Sequence, residues 1–76
     1  MSQFEKLLEK IKNNPKSVRF EELEKVLLRY GFTERQSSGG SSHYIFKRDN
    51  QNFTIPRHGQ FVKAVYVLQV IDALNL

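Results

Sequence analysis

The sequence contains no cysteine, and only two prolines and four glycines among its 76 residues. Without cysteine, a disulfide framework, a thiolate metal site and a cysteine nucleophile are all excluded. No apolar run approaches the roughly 20 residues that a membrane-spanning helix needs. The charged beginning, MSQFEKLLEK, is unlike a signal peptide. We therefore expect a soluble, cytoplasmic protein with no membrane association, whose stability comes from side-chain packing.

Several enzyme classes lack their characteristic residue patterns. Ser42 and His43 are adjacent, and neighbouring residues of a strand point to opposite faces, so adjacency does not make them a nucleophilic dyad. The two histidines have no zinc-binding spacing, and the tract SSGGSS lacks the lysine of a P-loop. Asp49 and Asp72 are far apart in the sequence, which disfavours a carboxylate site for metal-assisted phosphodiester cleavage. No metal or cofactor is expected.

The positive charge is unevenly distributed along the chain. The net charge is +4, and residues 35–63 contain five basic residues and one acidic residue, Asp49. The excess therefore surrounds the Gly/Ser tract and the segments that follow it. A basic patch of this kind favours polyanionic partners, although small basic proteins without a nucleic-acid function are common.

Hydrophobic spacing predicts two helices in the first part of the chain. Ser2 and Glu5 form an S-x-x-E capping box, and the helix that follows stops at the breaker Asn13-Asn14-Pro15. A second helix is predicted over residues 20–30. Gly31 then ends it, because glycine enters the left-handed conformation without steric cost.

The rest of the chain predicts three strands and a closing helix. The strands cover residues 32–36, 43–48 and 52–56, and the helix covers residues 62–74. Tyr44 and Phe46 point to one face of the second strand, and His43 and Ile45 to the other. The fold class is therefore α+β, with helices on one face of a three-stranded antiparallel sheet and the Gly/Ser tract as a hairpin loop.

RNA cleavage without a metal ion needs few protein groups. The ribose 2′-OH is an internal nucleophile, so the protein supplies a base, an acid and a cation. Histidine serves in either proton role, and arginine matches the geometry of a phosphate. The two histidines and the surrounding cations are chemically adequate if they converge: His43, His58, Arg35, Lys47, Arg48 and Arg57. Capping and turn-stabilising roles are the ordinary alternatives for both histidines.

Four motifs, taken in their order along the chain, resemble those of the HicA family, whose members are small mRNA interferase toxins of bacterial toxin–antitoxin pairs. They are GF at residues 31–32, GSSHYIF at 40–46, TIPRH at 54–58 and VKAVYVLQV at 62–70. The length of the chain predicts one domain over residues 1–76, and the resemblance implies a HicA-like core at 17–76 with an additional N-terminal helix at 1–14. It also implies a double-stranded-RNA-binding-like α-β-β-β-α core that cleaves mRNA and inhibits translation. A HicB-type antitoxin is the implied partner.

The resemblance also implies roles for individual residues. The family's catalytic histidine lies in a G-S-H motif, and His43 is the matching residue here. The sequence reads G-S-S-H at this point, with one serine more than the compact motif. His58 belongs to the P-R-H pattern, whose histidine is not the usual catalytic one, so it is a secondary candidate. The predicted RNA-binding residues are Gly40, Ser41, Ser42, Arg35, Lys47, Arg48, Arg57 and His58.

Two other functions are compatible with the same residues. One is a non-catalytic RNA-binding module of the same fold, because such domains bind A-form RNA through its shape and its phosphates. The other is a protein-interaction domain whose basic patch binds an acidic partner.

Overall fold

The computed structural model of the protein describes residues 2–37 and 42–76. Within these residues the elements follow the order α-α-β-β-β-α, with a short 3-10 turn between the first two helices. Their bounds are α1 (Gln3–Asn13), the 3-10 turn (Pro15–Ser17), α2 (Phe20–Arg29), β1 (Thr33–Gln36), β2 (His43–Arg48), β3 (Gln51–Pro56) and α3 (Ala64–Leu74). The predicted α+β class and the α-β-β-β-α core are confirmed. Most of the predicted Gly/Ser hairpin loop lies outside the described residues.

The first two helices begin and end at the expected signals. Ser2 has an extended backbone, and its Oγ accepts a hydrogen bond from the N–H of Glu5 at 3.1 Å. This bond satisfies one of the N–H groups that lack a partner within the helix. α2 ends one residue earlier than predicted, and Gly31 follows with φ of +90°. Gly31 therefore occupies a conformation that other residues adopt only with strain.

β2 is the central strand of the sheet and pairs antiparallel with both neighbours. Ile45 lies opposite Arg35 of β1 and Thr54 of β3. Because directly opposite residues of a sheet point to the same face, these three side chains share one face. We call this face, which is turned away from the helices, the open sheet face.

The other face of β2 packs against the helices. Phe46 is fully buried, and the ring of Phe20 on α2 lies 6.1 Å from it and 4.8 Å from the ring of Tyr44. The predicted alternation, with Tyr44 and Phe46 on the same face of the strand, is confirmed, and this face is the one that packs against the helices. The hydrophobic core of the described residues consists of Ile11, Val18, Phe20, Leu23, Val26, Leu27, Phe32, Phe46, Ile55, Val62, Val67 and Val70.

α3 begins two residues later than the predicted start at residue 62, so that part of the prediction is wrong. Val62 is buried, and its N–H donates a hydrogen bond to the carbonyl oxygen of Val18 at 2.8 Å. Its backbone is thus paired with a distant segment of the chain instead of continuing a helix. None of the described helices is long and apolar enough to cross a lipid bilayer.

Candidate active site

His43 is the first residue of β2 and lies opposite Pro56, the last residue of β3. Its carbonyl oxygen accepts a hydrogen bond from the N–H of Ser37 at 3.0 Å. The carbonyl oxygen of Ser42 accepts one from the N–H of Arg57 at 2.8 Å. These backbone hydrogen bonds fix the direction of the His43 side chain, which is exposed at one end of the open sheet face.

His58 follows β3 after one intervening residue and comes close to His43. The centres of the two imidazole rings are 6.1 Å apart, and the ring planes make an angle of 88°. Both residues are exposed to solvent. The sequence identified the two histidines as candidates without showing that they converge, and the fold brings them together.

A groove of about 330 Å³ contains both imidazole rings. We call it the histidine groove, and its other lining residues are Pro56, Phe61, Lys63 and Tyr66. Lys63 and Tyr66 come from the start of α3 and were not predicted to be site residues. The signal was nevertheless present, because the spacing of three in K-x-x-Y places both side chains on one side of a helix start.

A second groove, of about 400 Å³, lies on the open sheet face and is lined by Thr33, Arg35, Ile45, Lys47, Asn52 and Thr54. Arg35 lies opposite Ile45, and Lys47 lies two residues further along β2 on the same face. Within the described part of the chain, neither cation forms an ion pair with a carboxylate. The structure therefore places two of the predicted RNA-binding cations on the face that also carries His43.

Arg57 lies beside the histidine groove, on the side of α2. Its Nη2 donates a hydrogen bond to Glu21 Oε1 at 2.6 Å, and its guanidinium lies 4.8 Å from the centre of the Phe20 ring. The Arg57 and Glu21 side chains are 44% and 60% exposed. An exposed ion pair of this kind contributes about 0–1 kcal/mol. A phosphate group can therefore displace the carboxylate at little cost.

Arg48 lies at the end of β2 opposite to His43. Its Nη1 donates a hydrogen bond to the carbonyl oxygen of Tyr30 at 2.6 Å, and its Nη2 donates one to Gln51 Oε1 at 2.8 Å. The guanidinium also lies 4.7 Å from the centre of the Phe32 ring. These contacts join the end of α2 to the hairpin of β2 and β3. The structure does not bring Arg48 to the histidine groove.

Sequence comparison connects this fold and site to known proteins. The family described as HicA toxin of bacterial toxin–antitoxin systems matches residues 20–76, which is more than half of the chain. The chain belongs to the HicA toxin family. The matched region begins at the first residue of α2 and contains both histidines. Comparisons with curated proteins and with solved structures gave no match.

Membership of the HicA toxin family gives the chain a toxin role and an antitoxin partner. Three RNA-binding residues were predicted from the G-S-S-H motif. Of these, Ser42 directly precedes His43 and is exposed. Gly40 and Ser41 lie outside the described residues, and their contact with RNA stays a prediction. α1 lies before the region that the HicA toxin family matches.

The histidine groove of this HicA toxin has the groups needed to move protons and to bind an anion. Imidazole accepts or donates a proton near neutral pH, and the ammonium group of Lys63 attracts negative charge. Tyr66 and Phe61 add aromatic surface next to these polar groups. Among residues 2–37 and 42–76, no three histidine, aspartate or glutamate side chains cluster in a way that suits a metal ion.

A pair of carboxyl groups lies close to Arg57 in this HicA toxin. Glu34 of β1 shares a hydrogen bond with Glu24 of α2. Burial, followed by the hydrogen bond and the negative charge of Glu24, raises the pKa of Glu34 to about 7, while the charge of Arg57 acts in the opposite direction. The pair therefore holds a proton in the folded protein at pH values where an isolated glutamate has lost it.

The shifted pKa of Glu34 predicts how stability depends on pH. The pKa rises from 4.5 to about 7 on folding, so the folded state binds more protons between these values. The stabilisation by this proton is complete below pH 4.5 and is lost as the pH rises through about 7. Urea unfolding at a series of pH values should show this loss in the wild type and a flatter profile for Glu34→Gln. Glu9→Gln, which changes an exposed residue of α1, is the control and should follow the wild type. Identical profiles for Glu34→Gln and the wild type would contradict the prediction.

Proposed function

We propose that this HicA toxin is an endoribonuclease that cleaves mRNA and thereby inhibits translation, with His43 and His58 as its proton-transfer groups. One observation carries the proposal: the two exposed imidazole rings lie 6.1 Å apart in a single groove. A general acid or base must approach the atom that it protonates or deprotonates to within about 2.6–3.2 Å. Two rings at this separation can contact different oxygen atoms of one phosphodiester group.

The reaction uses the RNA's own 2′-hydroxyl group as the nucleophile. One imidazole accepts the 2′-hydroxyl proton while the 2′-oxygen forms a bond to phosphorus. The other imidazole, in its protonated form, donates its proton to the 5′-oxygen as the P–O5′ bond breaks. The products are a 2′,3′-cyclic phosphate on one fragment and a 5′-hydroxyl group on the other. All of the proton movements in this step use groups of the protein and the RNA.

The RNA backbone is proposed to run along the open sheet face and into the histidine groove. Arg35 and Lys47 lie on that face without a carboxylate partner in the described residues, so they are available to phosphate groups. Arg57 is proposed as a further phosphate contact, because its exposed pair with Glu21 is easily exchanged. Arg48 contacts the backbone of Tyr30 instead, and we assign it to the stability of the fold.

The antitoxin partner is proposed to be a HicB-type protein that covers the histidine groove. Such a partner would block RNA by occupying the exposed surface around His43 and His58. The additional N-terminal helix, α1, is proposed to complete the hydrophobic core through the buried side chain of Ile11.

The chemistry of the products tests the proposed function directly. The purified protein is incubated with a defined single-stranded RNA in the presence of EDTA, and the fragment ends are identified by mass spectrometry. We expect cleavage that leaves 2′,3′-cyclic phosphates. A single 2′-deoxy substitution at the cleaved position should abolish cutting there, because the nucleophile is missing. Cleavage of the deoxy-substituted strand, or cleavage that requires a divalent cation, would contradict the proposal.

A non-catalytic RNA-binding module is the second candidate function. The observation that favours it is that Arg35 and Lys47, on the open sheet face, form no ion pair within residues 2–37 and 42–76, which suits phosphate binding without any proton transfer. This function predicts no cleavage in the assay above and, in a titration of the same RNA at several salt concentrations, binding that weakens steeply with salt.

A further inference from the structure

We propose that Lys63 is a third catalytic residue, whose ammonium group contacts the scissile phosphate and stabilises the negative charge that develops on it in the transition state. The inference rests on the proposed ribonuclease function and deepens it, because it supplies a cation that keeps its charge while the two histidines transfer protons. Attack of the 2′-oxygen on phosphorus concentrates negative charge on the non-bridging phosphate oxygens. A fixed cation near these oxygens lowers the barrier because it binds the transition state more strongly than the substrate.

The positions of the other cations leave Lys63 as the best candidate. Arg48 is bound to the end of α2, and Arg57 is packed over the ring of Phe20 and does not line the histidine groove. Arg35 and Lys47 line the other groove, on the open sheet face. Among the described residues, Lys63 is the one lysine or arginine that lines the histidine groove.

The backbone of Lys63 is held in place from both sides. The preceding residue, Val62, is buried and bonded through its N–H to the carbonyl oxygen of Val18 at 2.8 Å. The carbonyl oxygen of Lys63 accepts a hydrogen bond from the N–H of Tyr66 at 3.0 Å, in the first turn of α3. The side chain itself is exposed and forms no ion pair with any carboxylate in the described part of the chain. The fixed backbone therefore holds Lys63 at the groove, and no carboxylate among the described residues neutralises its charge.

Lys63→Met tests the proposal, since methionine keeps an unbranched side chain of similar length and removes the charge. Lys6→Met is the matched control, because Lys6 is an exposed residue of α1 that does not line the histidine groove. Single-turnover cleavage should fall about 10²–10³-fold for Lys63→Met. Binding of a 2′-O-methyl RNA, which cannot be cleaved, should weaken by less than about tenfold. Lys63→Arg should recover part of the rate, and Lys6→Met should behave as the wild type.

The outcome that overturns the proposal is a Lys63→Met protein that cleaves within about threefold of the wild type, whatever its affinity for RNA. Because the side chain is exposed, the variant should remain folded, and circular dichroism provides the check. Lys63→Gln is a second neutral variant and should show the same loss of rate.

A binding measurement separates this inference from the proposed function. The uridine–vanadate complex has the five-coordinate geometry of the transition state, and its binding is followed through the NMR signals of His43 and His58. Affinity should fall about 10²-fold in Lys63→Met and should not change in Lys6→Met. If the wild type cleaves no RNA but this Lys63-dependent binding is found, the ribonuclease function fails and with it the catalytic role of Lys63, which is then a residue that only binds the anion. If the wild type cleaves and neither cleavage nor vanadate binding depends on Lys63, only the Lys63 proposal fails. If the wild type neither cleaves RNA nor binds the complex, both fail.

Discussion

Replacement of His43 by alanine should lower the rate of RNA cleavage by about 10²–10⁴-fold, which is the range for loss of a general acid or base. Growth arrest on expression of the toxin should be lost with it. Binding of RNA should be retained, because the proposed phosphate contacts are made by Arg35 and Lys47 on the neighbouring groove. The experiment measures single-turnover cleavage and, in parallel, the affinity for a 2′-O-methyl RNA.

The same measurement on His58→Ala shows whether the two imidazoles share the proton transfers. The wild type should have a bell-shaped dependence of rate on pH, because one imidazole must be neutral and the other protonated. Each alanine variant should lose one limb of the bell in addition to its loss of rate, and the limb that is lost identifies the base and the acid. Gln60→Ala, a change in an exposed residue of the same connecting segment, is the control and should behave as the wild type.

Three results would contradict these expectations. Full cleavage by His43→Ala would remove the proposed active site altogether. Full cleavage by His58→Ala, together with loss in His43→Ala, would restrict proton transfer to His43 and leave His58 as a structural neighbour. Loss of RNA binding in His43→Ala would mean that this histidine holds the substrate, and the rate alone would then not report on proton transfer.

Replacement of Phe46 by alanine should destabilise the protein by about 3–5 kcal/mol, the usual cost for a buried phenylalanine. The side chain is fully buried in the central strand and packs against the ring of Phe20. Domains have a total stability of about 5–15 kcal/mol, and one of this size belongs toward the low end. The variant should therefore be close to unfolded at room temperature, as measured by urea denaturation followed with circular dichroism.

Phe61→Ala is the matched control for Phe46→Ala. The same atoms are removed, but Phe61 is 43% exposed and lies at the histidine groove instead of in the core. Its unfolding free energy should change by less than about 1 kcal/mol. Equal destabilisation by the two variants would mean that the sheet does not pack against the helices as described. Loss of activity in Phe46→Ala should accompany loss of structure, whereas His43→Ala should lose activity with its fold intact.

The parts of the fold that depend on local interactions could be predicted from the sequence. The capping bond of Ser2, the left-handed Gly31 and the alternation of His43, Tyr44, Ile45 and Phe46 each involve residues within a few positions of one another. The start of α3 could not be predicted, because it depends on a hydrogen bond between Val62 and the distant Val18. The helical spacing of apolar residues continues through residue 62, so the pattern gives no sign of this bond.

The candidate site likewise has features that the sequence predicts and features that depend on the folded structure. His43 could be identified as a candidate from its motif, and strand alternation predicted that it lies on the face opposite to Phe46. Its closeness to His58 depends on the register that places His43 opposite Pro56, and the two-residue turn between Arg48 and Gln51 sets this register. The sequence predicted β3 from residue 52, which leaves a three-residue turn, so this register was not predicted. The participation of Lys63 depends on how the segment before α3 is attached to the rest of the fold. The hydrogen bond from Arg48 to the carbonyl oxygen of Tyr30 likewise depends on how a helix end packs against the sheet.

The attachment of the segment that carries His58 has a consequence for the entropy of the reaction. The segment is fastened at one end by the N–H of Arg57 to Ser42, and at the other by the N–H of Val62 to Val18. Only four residues lie between these two points, and a closed loop of this length has few conformations. Gly59, with φ of +65°, allows the chain to bend within so short a distance. Folding thus restricts the conformations in which the two imidazoles would lie apart. RNA binding therefore does not have to order the segment that carries His58.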